Sequence, residues 1–290
     1  MPRSRSAGLR LLPVGFLCLG GVHAVFAGEA AGSAANFFDK WFAISDAAKE
    51  SQPHWMTPLV TVTPRLEQEF RYDQAYQNRA EDVIFNNYGN GKGLEIIPLP
   101  NTEIILGIPN YLVKTSRAPT VEGWADETLL VKYRVLSANE EHGNYILTGF
   151  LGASLPTGAD AFTSHKAIIT PTLAGGYGWG TREQGFNIQS TVGVAIPVAN
   201  EGAIGTTTSW NTSFQAHVAK FWPELEANYT SYHDGPHAGH EQLALTAGVI
   251  AGRFELGSRA RLIVGASYQW PVTNYRLFED TWIGTVRVAF

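Results

Sequence analysis

Residues Val60–Tyr72 read Val-Thr-Val-Thr-Pro-Arg-Leu-Glu-Gln-Glu-Phe-Arg-Tyr. Val60, Val62, Pro64, Leu66, Gln68, Phe70 and Tyr72 fall on one side of an extended chain. Thr61, Thr63, Arg65, Glu67, Glu69 and Arg71 fall on the other. Alternation with a period of two over this length predicts a strand, 59–73, with one oily face and one charged face. On a helix the same charges would scatter around the axis.

The split recurs down the chain. Leu129, Val131, Tyr133 and Val135 alternate with Thr128, Lys132 and Arg134; Phe214, Ala216 and Val218 alternate with Ser213, Gln215 and His217. The pattern predicts strands over 59–73, 92–99, 102–110, 122–136, 144–156, 167–180, 185–197, 208–221, 224–233, 241–254, 259–271 and 280–290. That is about twelve, and an even number suits a single-chain membrane barrel. Strands two and three carry Pro98 and Pro109, which leaves ten strands as an alternative. Short connections (Pro100-Asn101, 137–143, 181–184, Pro223, 255–258) alternate with longer ones (74–91, 111–121, 157–166, 198–207, 234–240, 272–279). Barrels of the outer membrane have short periplasmic turns and longer external loops. The expected fold is all-β: a transmembrane antiparallel up-and-down barrel with a short N-terminal helix.

Both ends of the chain agree with this. Arg3, Arg5 and Arg10 precede an apolar run from Leu11 to about Gly20, and Val25-Phe26-Ala27 offers a cleavage site before Gly28. This predicts a secretory leader, 1–27, and export to the bacterial outer membrane. The single cysteine, Cys18, leaves with it, so the mature chain has no disulfide. Loss of the three arginines takes the formal charge from −5 to −8, which argues against nucleic acid as a partner. Phe37, Phe38, Trp41, Phe42 and Ile44 recur at roughly helical spacing, so 28–56 is expected to be a periplasmic segment with a short helix or plug, and 57–290 the barrel. At the other end, Trp282, Val286, Val288 and Phe290 form an apolar face closing on a terminal Phe. This resembles the signal read by the barrel-assembly machinery. Outer-membrane lipid is the remaining macroscopic partner, with aromatic residues at strand ends as interfacial girdles.

The charged faces would point inward. Arg65, Glu67, Glu69, Arg71, Asp126, Lys132, Arg134, His217, Arg261 and Arg287 are the candidate lumen and selectivity residues, since opposed charges in a narrow pore choose solutes. The same charges could equally pair with each other and fill the interior. The external segment His233-Asp-Gly-Pro-His-Ala-Gly-His-Glu241 offers His233, His237 and His240 as weak metal candidates. No metal site or cofactor is otherwise expected. Ser231 and His233 share a face near Asn228, which could be drawn as a hydrolytic triad, but no catalytic residues are assigned and the chain is not expected to be an enzyme. No P-loop, dinucleotide fingerprint or H-E-x-x-H is present. Most loops are short for an adhesin. The longest, 74–91, fits a mobile lid or constriction.

Four segments carry a family likeness: 52–73, Pro98-Leu-Pro-Asn-Thr-Glu103, Asp126-Glu-Thr-Leu-Leu-Val-Lys-Tyr-Arg134 and Ser154-Leu-Pro-Thr-Gly158. Their order resembles the outer-membrane family named for the phenol meta-degradation pathway, whose members are described as transporters. The resemblance implies uptake of small-molecule solutes, organic and hydrophobic or aromatic. A structural barrel with a filled lumen, or an outer-membrane lipid-modifying enzyme, is the alternative.

Overall fold

The computed structural model describes residues 27–90, 92–199 and 201–290. The expected leader therefore lies outside the described residues, Ala27 excepted. The chain divides into two units at Lys40/Trp41, and the first is described from Ala27 on. In the first, residues 27–40 are helical, belonging to α1 (Ala27–Glu50). Phe37 and Phe38 meet edge to face there, with ring centroids 5.5 Å apart, and both are exposed. No described helix is long and apolar enough to cross a membrane, which says nothing about strands.

The second unit is a closed barrel. One antiparallel sheet contains β1 (Glu69–Arg79), β2 (Val83–Gly89), β3 (Gly93–Leu99), β4 (Thr102–Gly107), β5 (Tyr111–Thr115), β6 (Val121–Trp124), β7 (Glu127–Ala138) and β8 (Tyr145–Leu155). It continues through β9 (Ile168–Gly180), β10 (Gln184–Pro197), β11 (Thr207–Val218), β12 (Phe221–Tyr232), β13 (Glu241–Glu255), β14 (Arg261–Pro271) and β15 (Asp280–Ala289). β1 pairs with both β2 and β3, β2 with β5, β3 with β4, β4 with β7 and β5 with β6; from β7 onward each strand pairs with the next, and β15 returns to pair with β1, Glu69 opposite Ala289 and Asn78 opposite Asp280. Three strands are each broken once, at 90–92, 108–110 and 125–126, so the segments make twelve strands in the ring. Pro109 lies in the second break, where a missing N–H would otherwise cost a ladder bond. The breaks sit side by side, joined by Ile108 N–H to Lys92 O (3.2 Å) and Ala125 N–H to Asn110 O (2.7 Å).

Three expectations are corrected. The first strand is not 59–73: the wall begins at Glu69 and runs on to Arg79. Residues 57–68 are buried but belong to no strand. Pro64 explains why, because its missing donor cannot serve a central strand. The segment 74–91 is not a lid either. It is the upper halves of β1 and β2, joined by a turn at 80–82. Segment 111–121 likewise contains β5 and the start of β6.

The protein is inside out. Inward positions are buried and polar: Glu69, Arg71, Asp73, Lys132, Gln189, Ser213, Glu226, Thr246 and Arg287. Outward positions between them are exposed and apolar: Phe70, Tyr72, Leu129, Val131, Tyr133, Phe214, Leu225, Trp282 and Val286. Only a lipid surround makes such an exterior stable, and the return of β15 to β1 closes the ring, β6 at the external rim pairing with β5 alone. This is an outer-membrane-type barrel. Its short turns (100–101, 139–144, 181–183, 219–220, 256–260) share one end with the C-terminus, the periplasmic end by the rule for such barrels.

The apolar core lies between the wall and the inner segment. Trp55, Met56 and Leu59 pack with Ile146, Trp222, Ile250 and Ile263, all buried. Ile250→Ala leaves a cavity there, and unfolding of the detergent-solubilised barrel should show a loss of about 2–5 kcal/mol.

Candidate functional site

An extended chain inside a barrel has the same problem as one inside a membrane: its backbone polar groups need partners. Residues 51–68 find theirs on inward side chains all around the ring. Glu224 Oε1 accepts from Leu59 N–H (3.0 Å), and the two oxygens of Glu226 accept from Val60 (2.8 Å) and Thr61 (2.6 Å). Glu103 Oε2 accepts from Glu67 N–H (2.6 Å). Carbonyls are held by cations and amides: Arg253 on His54 and Trp55 (3.0 Å each), Gln189 on Met56 (2.9 Å), Arg287 on Thr57 (2.7 Å) and Pro58 (3.1 Å). Arg71 donates to Leu59 O (2.8 Å), Thr148 to Pro64 O (2.6 Å) and Lys132 to Arg65 O (3.2 Å). Pro53, Pro58 and Pro64 reduce the number of donors that must be satisfied. Within the segment, the Gln52 amide closes on Leu66, 2.7 Å to its carbonyl and 2.9 Å from its N–H. The segment is a stopper, gripped by its main chain.

Shape follows the same plan. A Cβ at Gly176 would stand 2.6 Å from the Trp55 ring, and one at Gly178 2.5 Å from its Nε1. The two glycines of β9 leave the groove that the indole fills. Its N–H donates to Asn144 Oδ1 (2.9 Å).

The expected lumen residues divide accordingly. Arg65 and Glu67 are in the lumen but on the stopper, not on the wall, and pair with each other at 2.7 Å. Glu69, Arg71, Lys132, Arg134 and Arg287 are buried wall residues facing inward. Arg71 pairs with Asp73 (2.7 Å) and Lys132 with Glu103 (3.0 Å). Arg134 donates to Ala48 O (2.7 Å) at the end of α1 and to Pro100 O (2.9 Å). Three residues stand elsewhere. Asp126 lies in the break before β7 and staples the external loop 156–167, accepting from Gly158 N–H (3.0 Å), Ser164 N–H (2.9 Å) and Ser164 Oγ (2.8 Å). His217 stacks on Trp222 (3.8 Å between centroids) beside the turn at 219–220. Arg261 serves the carbonyls of Gly257 and Ala260 at another turn.

The assembly candidates lie on the last strand. Trp282 and Val286 are exposed outward, and the Phe290 carbonyl accepts from Lys49 Nζ (3.0 Å). The three loop histidines do not converge on one point: among the described residues no cluster suited to a metal ion occurs. His233 Nε2 lies 2.7 Å from Thr208 Oγ1, His237 Nδ1 2.5 Å from the Tyr275 hydroxyl, and His240 stacks on the same ring at 4.1 Å. Asn228, the third member of the drawn triad, is occupied by Asn211, Thr246 and Gln269. Missing from the candidates were Glu103 and Arg253, which only ring closure places against the stopper.

Toward the long loops, described residues line two cavities outside the stopper. One, of about 250 Å³, is lined by Val62, Thr63, Glu95, Ile105, Leu130 and Lys132 among others. The second, of about 410 Å³, lies against Leu59, Val60, Gln77, Phe85, Asn87 and Gln269. Lys92 borders both. Loop 156–167 reaches over them, with Phe162 edge-on to Phe85 at 6.0 Å.

At the periplasmic end the stopper is latched outside the membrane. His54 donates its N–H to Glu140 Oε1 (2.6 Å), and its Nδ1 lies 2.8 Å from Oε2. Burial by itself would raise the Glu140 carboxyl. The His54 hydrogen bonds outweigh it and hold the group at about 2, below the ordinary 4.5. Asp46 of α1 is also held low, chiefly by its hydrogen bond from Arg259.

No family model and no curated protein matches the chain. The phenol meta-degradation family thus stays a resemblance. Among solved structures, the chain is similar to the NanC porin (TM-score 0.48, 11% identity, 76% of this chain and 98% of that one). It is similar to the COG4313 outer membrane channel from Pseudomonas putida F1 (0.46, 12%, 77% and 94%). It is also similar to the translocator domain of the autotransporter NalP from Neisseria meningitidis (0.42, 14%, 93% and 99%). Class membership rests on this chain's own strand pairing and oily exterior.

A carboxyl whose folded value is depressed stabilises fully above its unfolded value and loses that contribution as pH falls through the folded one. Glu140→Ala should cost about 2 kcal/mol at neutral pH. In thermal unfolding, the gap between wild type and variant should close as pH falls from about 4.5 to about 2.

Proposed function

We propose that the protein is an outer-membrane channel for passive uptake of small organic solutes, closed at rest by residues 51–68. The carrying observation is how the stopper is held. Apart from its own chain ends no cross-link fixes it, the one cysteine being Cys18. Glu224, Glu226, Arg253 and Arg287 grip main-chain atoms at normal hydrogen-bond distances. Such a grip is cooperative and reversible, and each charge-assisted bond contributes about 1.5–3 kcal/mol. The cavities lie on the external side, where an incoming solute would wait. Their mixed apolar and polar lining suits organic molecules, hydrophobic or aromatic ones included, better than sugars. The reading calls on no catalysis and no cofactor.

A second reading is favoured by the same stopper: a structural barrel with a permanently filled lumen. The buried pairs Arg71–Asp73 and Lys132–Glu103 support it, since buried pairs of this kind fix one arrangement.

Flux into liposomes separates the two. The wild-type chain should pass small solutes slowly. Glu226→Ala with Arg287→Ala removes two grips, and Gly176→Leu evicts Trp55. Both variants should raise flux by about tenfold or more, as expected when a closed state loses 1.4 kcal/mol or more. Variants that fold, judged by heat-modifiable gel migration, yet leave flux unchanged would reject the channel.

A further inference from the structure

β2, β5 and β6 form the external parts of three adjacent strands. Phe85 of β2 and Leu112 of β5 line the outer cavity of about 410 Å³. Gly123 of β6 stands opposite Leu112 in the ladder, and residues directly opposite share one face of a sheet. Gly123 is therefore an inward position without a side chain. A Cβ there would stand 2.8 Å from that of Ala159 and 3.4 Å from the Phe162 ring. Loop 156–167, which joins β8 to β9, is laid along the inner face of the wall.

Phe162 carries the loop across to β2. Its ring meets Phe85 edge to face, with centroids 6.0 Å apart and planes at 84°. From β1, the Arg79 guanidinium lies 4.1 Å from the centre of the same Phe85 ring and donates to the Gln77 amide oxygen (2.6 Å). The loop is anchored on both sides of Phe162. Ala159 N–H donates to Trp124 O (2.8 Å), and the N–H groups of Phe162 and Thr163 turn back to Ala159 O (2.8 and 2.9 Å). Asp126 holds Gly158 before the ring and Ser164 after it. An apolar ring fixed at both flanks of a narrow mouth sorts passing molecules by width.

We propose that Phe162 is a specificity-determining residue at the external mouth. Held by Asp126 and set against Phe85, it overhangs the outer cavity and admits slender solutes while holding back wide ones, before the stopper is met. Arg79 supports the contact by fixing Phe85. The proposal deepens the channel reading and rests on it for the solute's onward path; entry into the outer cavity does not depend on that path.

The test is thiol labelling of the folded full chain in a non-ionic detergent. Cys18→Ser removes the one native thiol, and Gln269→Cys places a new one in the outer cavity, where Gln269 is half-buried. Two methanethiosulfonates are compared, one carrying a methyl group and one a benzophenone, each rate divided by that reagent's rate with glutathione. The benzophenone reagent should label about tenfold or more slowly than the methyl one. Phe162→Ala removes the overhang and Asp126→Ala frees the loop. Each should raise the benzophenone rate by about tenfold and leave the methyl rate unchanged, whereas Phe162→Trp should keep the benzophenone slow. Heat-modifiable gel migration checks that each variant is folded, and Phe162→Ala alone decides if Asp126→Ala is not. Equal rates for the two reagents before the loop is altered, no methyl labelling, or an unchanged benzophenone rate in folded Phe162→Ala would each overturn the proposal. Liposome flux is read separately. Labelling governed by Phe162 without flux in the loosened variants keeps the constriction and rejects the channel, whereas flux with labelling indifferent to Phe162 rejects the constriction alone.

Discussion

The structure depends on one constraint: a main chain threaded through a closed barrel must have every buried N–H and C=O answered. Twelve strands use their own polar groups on each other, so none is left for a passenger. The answer comes from side chains. Carboxylates of Glu103, Glu224 and Glu226 take the N–H groups of 59–61 and 67. Guanidinium groups of Arg71, Arg253 and Arg287 take the carbonyls of 54, 55 and 57–59, and the Gln189 amide that of Met56. A carboxylate or guanidinium can serve two main-chain groups at once, which explains why so many charges stand inside a barrel of modest bore. The proline content of the segment lowers the demand.

This arrangement also decides where solute space survives. The stopper takes the periplasmic half and the middle of the lumen. The external half narrows under loop 156–167, which Asp126 pins and Phe162 carries across to Phe85. What remains is a pair of vestibules whose shared border is Lys92. Charges that the sequence arranges in ladders thus have three separate employments: gripping a backbone, pinning a loop, and pairing with each other. Their chemistry is identical. Their surroundings differ.

Part of the arrangement was legible early. Alternation located nine of the twelve strands to within about three residues, because side chains facing lipid and lumen must alternate wherever a wall separates the two. The second and third strands run on through 83–89 and 111–115, which read as loops. The first strand is the instructive exception. Residues 60–68 alternate as well as any strand, yet they have no lipid side. Val60, Val62 and Leu66 face the interior along with Arg65 and Glu67. Inside a filled barrel both faces of an extended segment are buried, so alternation there carries no information about lipid. Pro58 and Pro64 were the available warning. The three loop histidines show the converse: close in sequence, they are held apart by Thr208 and Tyr275, residues no local pattern connects to them.

The sequence by itself determined the wall: a strand-rich chain with an oily exterior, short turns at one end and a charged interior. It did so because binary patterning and turn chemistry are local, written over a few neighbouring residues. Only the tertiary structure decided what the interior does. Closure of β15 on β1 brings Glu103, Glu226, Arg253 and Arg287 to one line of main chain, although the sequence spreads them over most of its length. Whether a charge meets a carboxylate or a carbonyl depends on which strand faces it across the lumen. That distance is set by the ring as a whole, and no window of sequence contains it.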